Sequence, residues 1–429
     1  MFLESHAQTD VGQKRDHNED HFVRSDELGL YIVCDGMGGH AAGEVASALA
    51  AKTIADLVQK ELGKAQHETP LDAASAAHLA DVMRRAGEGA NTAVYELGKT
   101  DTRTRGSGTT CTALCIRGGR GVLTHVGDSR LYLLRSGELH QLSFDHSFVA
   151  EAIRRGVDPA EAEANFPSNL LTRAIGPLER IQVDTLEFEV IPRDVFLLCS
   201  DGLHGYFPDA AELAQLLAAE PAGVPQQLVQ LANDRGGADN ITCVVVRTRD
   251  TAHDAAGRMS RVHEDLSALS AMELFSELTY PELLEVAGAL RSEERKKGEV
   301  ILGEGDVSRS LYVIASGTVE VRRGGTLLTT LGAGSHFGEM ALLTNRPRSA
   351  TIRTTEPCRL LALDQEQLYP LFQQSPVIGV KFLWKLSQVQ SLRLDEATLW
   401  TRPGPDTEVR PPRLESTQEL FPPPFSRRT

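Results

Sequence analysis

Two segments in the first half of the chain share one pattern, an apolar run that ends in Asp-Gly. Residues 30–36 and 196–202 each predict a buried strand that delivers a carboxylate, Asp35 or Asp201, just before a glycine that allows close backbone approach. Asp239 shows the reverse order, because it precedes a predicted strand at 241–246. In an antiparallel sheet the end of one strand lies beside the start of its neighbour, so the three carboxylates can converge at one edge. Such a cluster is unfavourable unless a cation neutralises it.

A single Asp-Gly pair is ordinary turn chemistry, so the alternative for each carboxylate taken alone is a structural turn. A fourth acidic segment makes it less plausible that these carboxylates are unrelated turns. Residues 12–20 are dense in charge and place Arg15 close in the chain to Glu19 and Asp20. Hard divalent cations bind oxygen ligands and activate water, and arginine binds a phosphate dianion through two hydrogen bonds. The pattern therefore predicts phosphoester chemistry.

The charge of the chain is unevenly distributed along its 429 residues. Residues 1–250 hold 23 Lys and Arg against 36 Asp and Glu, a net charge of -13, whereas residues 251–429 hold 21 against 23, a net charge of -2. An apolar fraction of 41% suffices for a buried core. The length predicts two or three domains, and the unequal charge indicates that the two halves are different domains. The acidic surface disfavours nucleic acid as a partner.

The first half alternates β-rich runs with Ala-rich stretches of helical composition, which predicts an α+β domain. Its strands are predicted at 30–34, 111–116, 121–126, 131–134, 195–199 and 241–246, and its helices at 41–62, 73–97 and 210–217. The six cysteines of the chain stand singly inside apolar runs rather than at framework spacings. They are predicted to be free and packed as small hydrophobic residues.

The second half has a different organisation. Residues 249–265 are small and polar without periodicity, which predicts a linker. A helical stretch is predicted from residue 266 to about 290, then short strands punctuated by glycines, as in a small β-roll, and a last helix over about 378–399. Residues 401–429 hold seven of the 20 prolines and are predicted to be a disordered tail.

Eight motifs of the first half resemble, in order, the signature set of bacterial PPM-type phosphatases, the protein phosphatase type 2C family. They are residues 15–20, 35–40, 107–110, 126–130, 145–147, 171–176, 199–202 and 236–240. The resemblance covers residues 5–248. It implies a four-layer α-β-β-α sandwich that binds two Mg²⁺ or Mn²⁺ ions, or three, and hydrolyses phosphoserine and phosphothreonine with a metal-bridged water.

The resemblance also implies roles for individual residues. Asp35 would bridge both metals, Gly36 would lend its carbonyl, and Asp201 and Asp239 would complete the ligands of one ion.

Three further acidic residues and one arginine complete this implied set. Glu19 would be the acidic ligand of the second metal, with Asp20 close behind. Asp128 matches a third, weaker metal site, although a structural turn explains it nearly as well. Arg15 would hold the substrate phosphate. The general acid is not identified, because Met37 follows Asp35-Gly36 where eukaryotic relatives have a histidine.

The second half contains a candidate anion pocket in residues 335–351. Gly338 permits a tight entry into a short turn whose first N–H groups could cradle an anion, and Arg348, fixed by Pro347, can return to the same place. Glu339 can then accept a hydroxyl hydrogen bond. The alternative is a surface ion pair between Glu339 and Arg348, which would contribute little stability.

This segment resembles the phosphate-binding cassette of cyclic-nucleotide-binding domains. The resemblance covers residues 266–396 and implies a β-roll, like a jelly roll, with flanking helices. Glu339 would bind the ribose 2′-hydroxyl, and Arg348 would pair with the cyclic phosphate. Further contacts are implied from Gly338, Met340, Ala341 and Ser349. The serine at 349 does not decide between cAMP and cGMP.

The sequence thus predicts a metal-dependent protein serine/threonine phosphatase regulated by a cyclic nucleotide. Its expected partners are phosphorylated proteins, among them a Ser/Thr kinase, and cAMP or cGMP. A cytoplasmic location without membrane contact is expected, because no apolar run approaches the ~18–20 residues that cross a bilayer. Two alternatives stay open: a catalytically weak nucleotide sensor or scaffold, and an active phosphatase whose β-roll binds no ligand and serves for docking.

Overall fold

The structure is a computed structural model that describes residues 2–38, 41–65, 69–100, 103–167, 169–249, 255–339 and 347–400. The chain divides into two compact units, Met1–Met259 and Ser260–Thr429. None of the helices in these described ranges is both long enough and apolar enough to cross a membrane.

The first unit contains twelve named strands and seven named α-helices within the described ranges. The strands are β1 Phe2–Asp10, β2 His21–Ser25, β3 Leu30–Cys34, β4 Gly36–Met37, β5 Gly108–Thr109, β6 Cys111–Arg117, β7 Arg120–Val126, β8 Arg130–Arg135, β9 Glu138–Gln141, β10 Asp184–Glu189, β11 Val195–Cys199 and β12 Ile241–Arg249. The helices are α1 Ala41–Leu62, α2 Ala73–Thr100, α3 Phe148–Arg154, α4 Pro159–Asn165, α5 Asp201–His204, α6 Ala210–Ala218 and α7 Val224–Asp234.

Two five-stranded antiparallel sheets form the centre of this unit, in the orders β1-β12-β11-β8-β9 and β10-β7-β6-β3-β2. Because side chains alternate along a strand, each sheet has an inner and an outer face. The outer face of the second sheet packs on α1 and α2, and that of the first sheet packs on α5, α6 and α7. Between the sheets the rings of Phe188 and Phe196 lie 5.9 Å apart. The predicted four-layer α-β-β-α sandwich is confirmed.

The six cysteines are free and buried, as predicted. Cys199 lies directly opposite Cys243 in the β11-β12 pair. This register brings the segment after β11 next to the segment before β12.

The second unit contains eight strands and four α-helices within the described ranges. The strands are β13 Arg291–Arg295, β14 Val300–Leu302, β15 Ser310–Ser316, β16 Val319–Arg323, β17 Thr326–Leu331, β18 His336–Phe337, β19 Thr351–Thr354 and β20 Cys358–Asp364. The helices are α8 Ala255–Ser270, which begins in the first unit, α9 Tyr280–Gly288, α10 Gln365–Gln374 and α11 Pro376–Trp400.

These strands form two four-stranded sheets, β13-β20-β15-β18 and β14-β19-β16-β17. Tyr312, Ile314 and Leu360 fill the space between the sheets, and the ring of Tyr312 stacks on that of Phe337 at 5.3 Å. The helices cover the other face of β15 and β20. The predicted β-roll with flanking helices is confirmed.

The linker predicted at 249–265 is wrong in its second part, because α8 already begins at Ala255. Val262, Leu266 and Leu269 recur at helical spacing, and Leu266 and Leu269 belong to the core of the second unit. Arg359 forms ion pairs with Glu264, at 2.6 Å, and with Asp265. Tertiary packing therefore imposes a helix on a segment whose composition suggested none.

The continuous helix predicted over 266–290 is also wrong. The chain leaves α8 at Ser270, forms a 3₁₀ turn at Glu273–Phe275 and begins α9 with a capping box on Thr279. Buried Met272, Leu274 and Phe275 turn the chain into the core between the helices. The predicted last helix, by contrast, matches α11. The predicted disordered tail lies outside the described residues.

Candidate functional site

The carboxylates predicted to converge do so at one end of the sandwich of the first unit. Asp201 follows β11, and Asp239 stands just before β12, the antiparallel neighbour of β11. Asp35 follows β3, which belongs to the other sheet. The charge of Asp201 nevertheless helps to raise the pKa of the Asp35 carboxyl, so the two carboxyls lie close together. The meeting point is therefore an edge formed by both sheets rather than by a single one.

Four carboxyls at this end of the sandwich hold a proton more tightly than an ordinary aspartate; they belong to Asp20, Asp35, Asp128 and Asp201. Burial raises the pKa of Asp20 to about 7, and the charges of Asp201 and Asp239 add to this effect. Burial likewise raises the pKa of Asp128 to about 7, with help from Asp201. The pKa of Asp35 is raised, first by burial and then by Asp20, Asp201 and Asp128. The pKa of Asp201 is raised by burial and by Asp239. The cluster thus carries more negative charge than its surroundings stabilise.

The residues present fit a hard divalent cation. Every candidate ligand is an oxygen, which is what Mg²⁺ and Mn²⁺ prefer. Oδ1 of Asp20 and Oδ1 of Asp201 are buried without a hydrogen-bond partner. A buried carboxylate oxygen without a donor is costly, and a cation would remove that cost. Across the described ranges, no three His, Cys, Asp or Glu side chains already stand in ligand geometry around one point.

Arg15 and Glu19 both reach this end of the sandwich. Arg15 Nη2 donates to Asp239 Oδ2 at 2.7 Å, and about half of the Arg15 side chain, 55%, is exposed. The carboxylate of Glu19 lies against the first turn of α1, where a Cβ on Gly43 would stand 2.1 Å from Glu19 Oε2. Gly36 is equally enclosed, because its Cβ would stand 2.5 Å from the carbonyl oxygen of Glu19.

Neighbouring hydroxyls fix the backbone and carboxyls of the cluster. The N–H of Asp35 donates to Thr110 Oγ1 at 2.9 Å, and Thr109 Oγ1 donates to the carbonyl of Asp35 at 2.9 Å. Ser200 Oγ donates to Asp20 Oδ2 at 2.8 Å. These contacts hold one oxygen of Asp20 and leave the other without a partner.

Asp128 lies at the turn that follows β7, in a densely hydrogen-bonded region. The carbonyl of Asp128 accepts from His204 Nε2 at 3.0 Å. The preceding residue, Gly127, has a φ of +110° and donates its N–H to His146 Nδ1 at 3.1 Å. His146 Nε2 in turn donates to Asp184 at 3.0 Å. The position of Asp128 is therefore set by two buried imidazoles.

Asn240 is a site residue to which the sequence analysis gave no role. Its Nδ2 donates to the carbonyls of Val11 and His17 at 3.0 and 2.9 Å, and its Oδ1 accepts from the N–H of Glu19 at 2.8 Å. The buried amide thereby fastens the loop that carries Arg15 and Glu19 to the strand end that carries Asp239. Its place directly after Asp239, inside a quoted motif, is the only sequence signal for it.

The anion pocket of the second unit is built around Arg348, which is 7% exposed. Its Nε donates to Ser308 Oγ at 2.8 Å, its Nη1 to the carbonyl of Gly338 at 3.0 Å and its Nη2 to the carbonyl of Ser310 at 2.7 Å. Arg348 forms no ion pair with any residue in the described ranges. Burial lowers the pKa of Arg348, although Tyr312, Glu339 and Asp306 act against this effect.

The surface ion pair considered for Glu339 and Arg348 is not observed. Both residues are 7% exposed, so neither lies on the surface. Gly338 has a φ of +89°, and a Cβ there would stand 2.7 Å from Arg348 Nη1, which explains the need for glycine. Ser349 is exposed, and its carbonyl accepts from Arg323 Nε at 3.0 Å. The predicted contacts from Met340 and Ala341 lie outside the described residues.

Comparison with known families gives two matches. Residues 8–231 match the family described as protein phosphatase 2C, and residues 292–375 match the cyclic nucleotide-binding domain. The first match contains the carboxylates up to Asp201, and the second contains Gly338, Glu339, Arg348 and Ser349.

Individual relatives agree with the first match. The protein phosphatase PhpP of Streptococcus pneumoniae is 36% identical over 249 residues, which is 56% of this chain and 94% of that protein. The solved structure of the serine/threonine phosphatase PstP/Ppp of Mycobacterium tuberculosis is 35% identical, with a TM-score of 0.52, over 58% of this chain and 100% of that one. A structure of the catalytic domain of PstP in complex with two manganese ions is 35% identical, with a TM-score of 0.50, over 58% of this chain and 99% of that one.

Proposed function

The chain belongs to the protein phosphatase 2C family and is a protein serine/threonine phosphatase, and from this premise we propose that it hydrolyses phosphoserine and phosphothreonine at the carboxylate cluster, with Mg²⁺ or Mn²⁺ bound there. The observation that carries the proposal is the cluster itself. Four carboxyls have raised pKa values, and two of them keep a buried oxygen without a donor. One relative in the family has been solved with two manganese ions.

The candidate ligands can be assigned to individual ions by their positions. Asp35 would bridge the two ions, because the charge of Asp201 acts on its carboxyl and its backbone is fixed by two threonines. Asp201, Asp239 and the carbonyl of Gly36 would complete the ligands of one ion. The other acidic candidates are Glu19, Asp20 and, for a third ion, Asp128. When bound, the ions supply an activated water and neutralise the carboxylates.

Arg15 is proposed to bind the substrate phosphate. Its guanidinium is half-exposed at the rim and already reaches Asp239 through one hydrogen bond. A planar guanidinium can bind two oxygens of a phosphate dianion and orient the phosphoester toward the cluster. The same charge offsets part of the acidic field that would otherwise repel a dianion.

The test of this part is phosphate release from a phosphothreonine peptide by the full chain, first stripped with EDTA and then supplied with Mn²⁺ or Mg²⁺. We expect no release without the metal and release after either ion is added. Release at an undiminished rate in EDTA would contradict the metal role. An inactive full chain under all conditions would favour the alternative of a sensor or scaffold.

We also propose that the second unit binds a cyclic nucleotide and that this binding regulates the phosphatase. A guanidinium has five N–H donors, and the three hydrogen bonds of Arg348 leave two for a phosphate. A buried guanidinium without an ion pair favours an anionic ligand. Glu339 is proposed to accept from the ribose 2′-hydroxyl, and Gly338, Met340, Ala341 and Ser349 to complete the phosphate contacts.

Calorimetric titration of the full chain with cAMP and with cGMP tests the binding. We expect one of them to bind and Arg348→Ala to weaken the affinity at least about 10-fold, because a hydrogen bond to a charged group contributes about 1.5–3 kcal/mol. Arg309→Ala, an exposed change, serves as the control. If neither nucleotide bound the wild type, the alternative of a ligand-free docking module would stand.

Regulation is tested separately, with phosphate release measured at saturating nucleotide. A ligand changes the activity only if it binds two states of the enzyme with different affinity. We expect the rate of the wild type to change and that of Arg348→Ala to stay constant. If the rate of phosphate release is the same with and without bound nucleotide, the nucleotide binds but does not regulate the phosphatase. Phosphorylated proteins, among them a Ser/Thr kinase, are the proposed substrates.

A further inference from the structure

A depression of about 210 Å³ opens beside the carboxylate cluster and extends beyond it. Two of its lining residues, Asp201 and Asp239, belong to the carboxylate cluster and define its first end, and the other four, Gly202, Gly205, Tyr206 and Ala238, define its second end. The first end belongs to the site already described. The second end contains no charged side chain, and three of its four residues have a hydrogen or a methyl group as side chain. A phosphoester held at the first end therefore places the rest of its polypeptide against the second.

Tyr206 is the one large side chain in that second end, and two hydrogen bonds hold this residue in place. Its hydroxyl accepts from the N–H of Ala238 at 2.8 Å, and its carbonyl accepts from Arg235 Nη1 at 2.7 Å. The next residue, Phe207, is buried, with the guanidinium of Arg235 4.8 Å from the centre of its ring. The ring of Tyr206 is thus fixed before any substrate arrives, so little entropy is lost when a partner packs against it.

Glycines around the ring keep this end open. Gly236 has a φ of +139°, and a Cβ there would stand 3.2 Å from the Tyr206 hydroxyl. A Cβ on Gly202 would stand 2.1 Å from the carbonyl oxygen of Asn240. Larger residues at either place would move the ring or the strand end. The lining of the second end thus combines one aromatic ring with small residues, and this combination suits an apolar side chain.

We propose that Gly202, Gly205, Tyr206 and Ala238 form a subsite for an apolar residue next to the phosphorylated serine or threonine of the substrate. This inference rests on the proposed function, because it places the phosphoester at the carboxylate cluster. Continuity with that cluster identifies the occupant, since the depression shares Asp201 and Asp239 with it. Tyr206 is therefore a specificity-determining residue and not a member of the catalytic set.

The test compares three substrates with the full chain in Mn²⁺. They are phosphothreonine blocked by acetyl and methylamide groups, a heptapeptide with leucine on both sides of phosphothreonine, and the same peptide with glycine on both sides. For the wild type we expect kcat/KM to be about 10-fold higher for the leucine peptide than for the glycine peptide, a difference typical of one buried apolar side chain.

Two variants separate the ring of Tyr206 from its hydroxyl. Tyr206→Phe removes the hydrogen bond to Ala238 and keeps the ring, whereas Tyr206→Ala removes both. We expect Tyr206→Phe to keep the preference for leucine and Tyr206→Ala to lose it. The two variants should hydrolyse the blocked phosphothreonine equally, because it does not reach the second end.

Each other outcome overturns the subsite. A leucine preference that survives Tyr206→Ala, or a wild type without preference, removes Tyr206 from substrate selection. Equal losses on all three substrates in Tyr206→Ala would show a structural role only. If the wild type hydrolyses none of the substrates in Mn²⁺, both the proposed function and the subsite are wrong. If it hydrolyses all three without a preference, only the subsite is wrong.

Discussion

In the first unit at least five carboxylates share one end of a sandwich, whereas in the anion pocket of the second unit one buried guanidinium, that of Arg348, donates to neutral oxygens. The carboxylates raise one another's pKa values, and two of their buried oxygens have no donor. Arg348, in contrast, donates to one hydroxyl and two carbonyls. The acidic site is therefore stable only with protons or cations, while the basic site is largely satisfied before its anion arrives.

This difference indicates different tasks. Because the negative charge of the cluster is uncompensated, binding of a metal ion there is strongly favourable. This suits a site that keeps its cofactor through many turnovers. A pocket that is already satisfied gains less on binding, as suits a ligand that must also leave. Substitutions at single residues test this contrast between the two sites.

Asp239→Asn removes one charge of the cluster and the partner of Arg15. We expect kcat/KM for a phosphothreonine peptide to fall by more than the roughly 10–100-fold that loss of an outer partner of a metal site costs. Asp234→Asn, an exposed change on α7, is the control. Wild-type activity in Asp239→Asn would remove this residue from the proposed ligands.

Asn240→Asp keeps the shape of the side chain but replaces its hydrogen-bond donor, Nδ2, with an acceptor oxygen. The two carbonyls that accept from Nδ2 would then face a carboxylate oxygen, and the loop with Arg15 and Glu19 would be released. We expect kcat/KM to fall about 10–100-fold and the Mn²⁺ concentration for half-maximal activity to rise.

The matched control for Asn240→Asp is Asn165→Asp at the exposed end of α4, which should leave both quantities unchanged. A fall in folding stability with an unchanged Mn²⁺ requirement would instead show that Asn240 supports the fold and not the site.

The acidic cluster also predicts a pH dependence of stability in the metal-free protein. The pKa of Asp128 is about 7 in the folded state, against an ordinary value of 3.8, so its stabilising contribution is full below about pH 4 and is lost as the pH rises through 7. Asp128→Asn removes this group. In EDTA we expect the variant to gain at least about 2–4 °C in Tm over the wild type between about pH 5 and about pH 8.

His125 and His204 act in the opposite sense, because burial lowers the pKa of each to about 4. The wild type and Asp128→Asn share both histidines, so the difference in Tm between them isolates the carboxyl. Mn²⁺ should abolish the pH dependence of that difference. A difference in Tm that does not change with pH in EDTA would contradict the raised pKa.

Ser308→Ala tests the basic site with the smallest expected effect. The change removes the acceptor of Arg348 Nε, a hydrogen bond that contributes about 1 kcal/mol, so the affinity for the nucleotide should fall about 5-fold. Ser310→Ala is the control, because Arg348 uses the carbonyl of Ser310 and not its hydroxyl. A loss as large as that in Arg348→Ala would mean that Ser308 itself binds the ligand.

The sequence predicted the fully buried strands of the first unit well, because a continuous apolar run is a local pattern, whereas the less apolar strands β1, β2 and β10 were not predicted. Strands 30–34 and 195–199 were predicted to the residue, and the convergence of Asp35, Asp201 and Asp239 followed from their places at strand ends. The sequence could not show that Asp35 comes from a second sheet, since nothing local to Asp35 reports which sheets stack.

Features that depend on distant partners escaped prediction. Asn240 fastens a loop about 220 residues earlier in the chain, and an amide in a loop has no pattern that reveals such partners. The helix over 255–265 depends on packing of Val262 and Leu269 rather than on composition. The proposed role of Tyr206 could not be predicted either, because it depends on a depression that Tyr206 lines together with Ala238, which is distant in the sequence.

The most direct test of the account is calorimetric titration of the metal-stripped full chain with Mn²⁺ near pH 7, repeated in two buffers of different ionisation enthalpy. Carboxyls with pKa values near 7 are partly protonated at this pH, and a cation must displace those protons. We expect Mn²⁺ to bind with net proton release, and with a smaller release in Asp128→Asn. No binding, or binding without proton release, would contradict it.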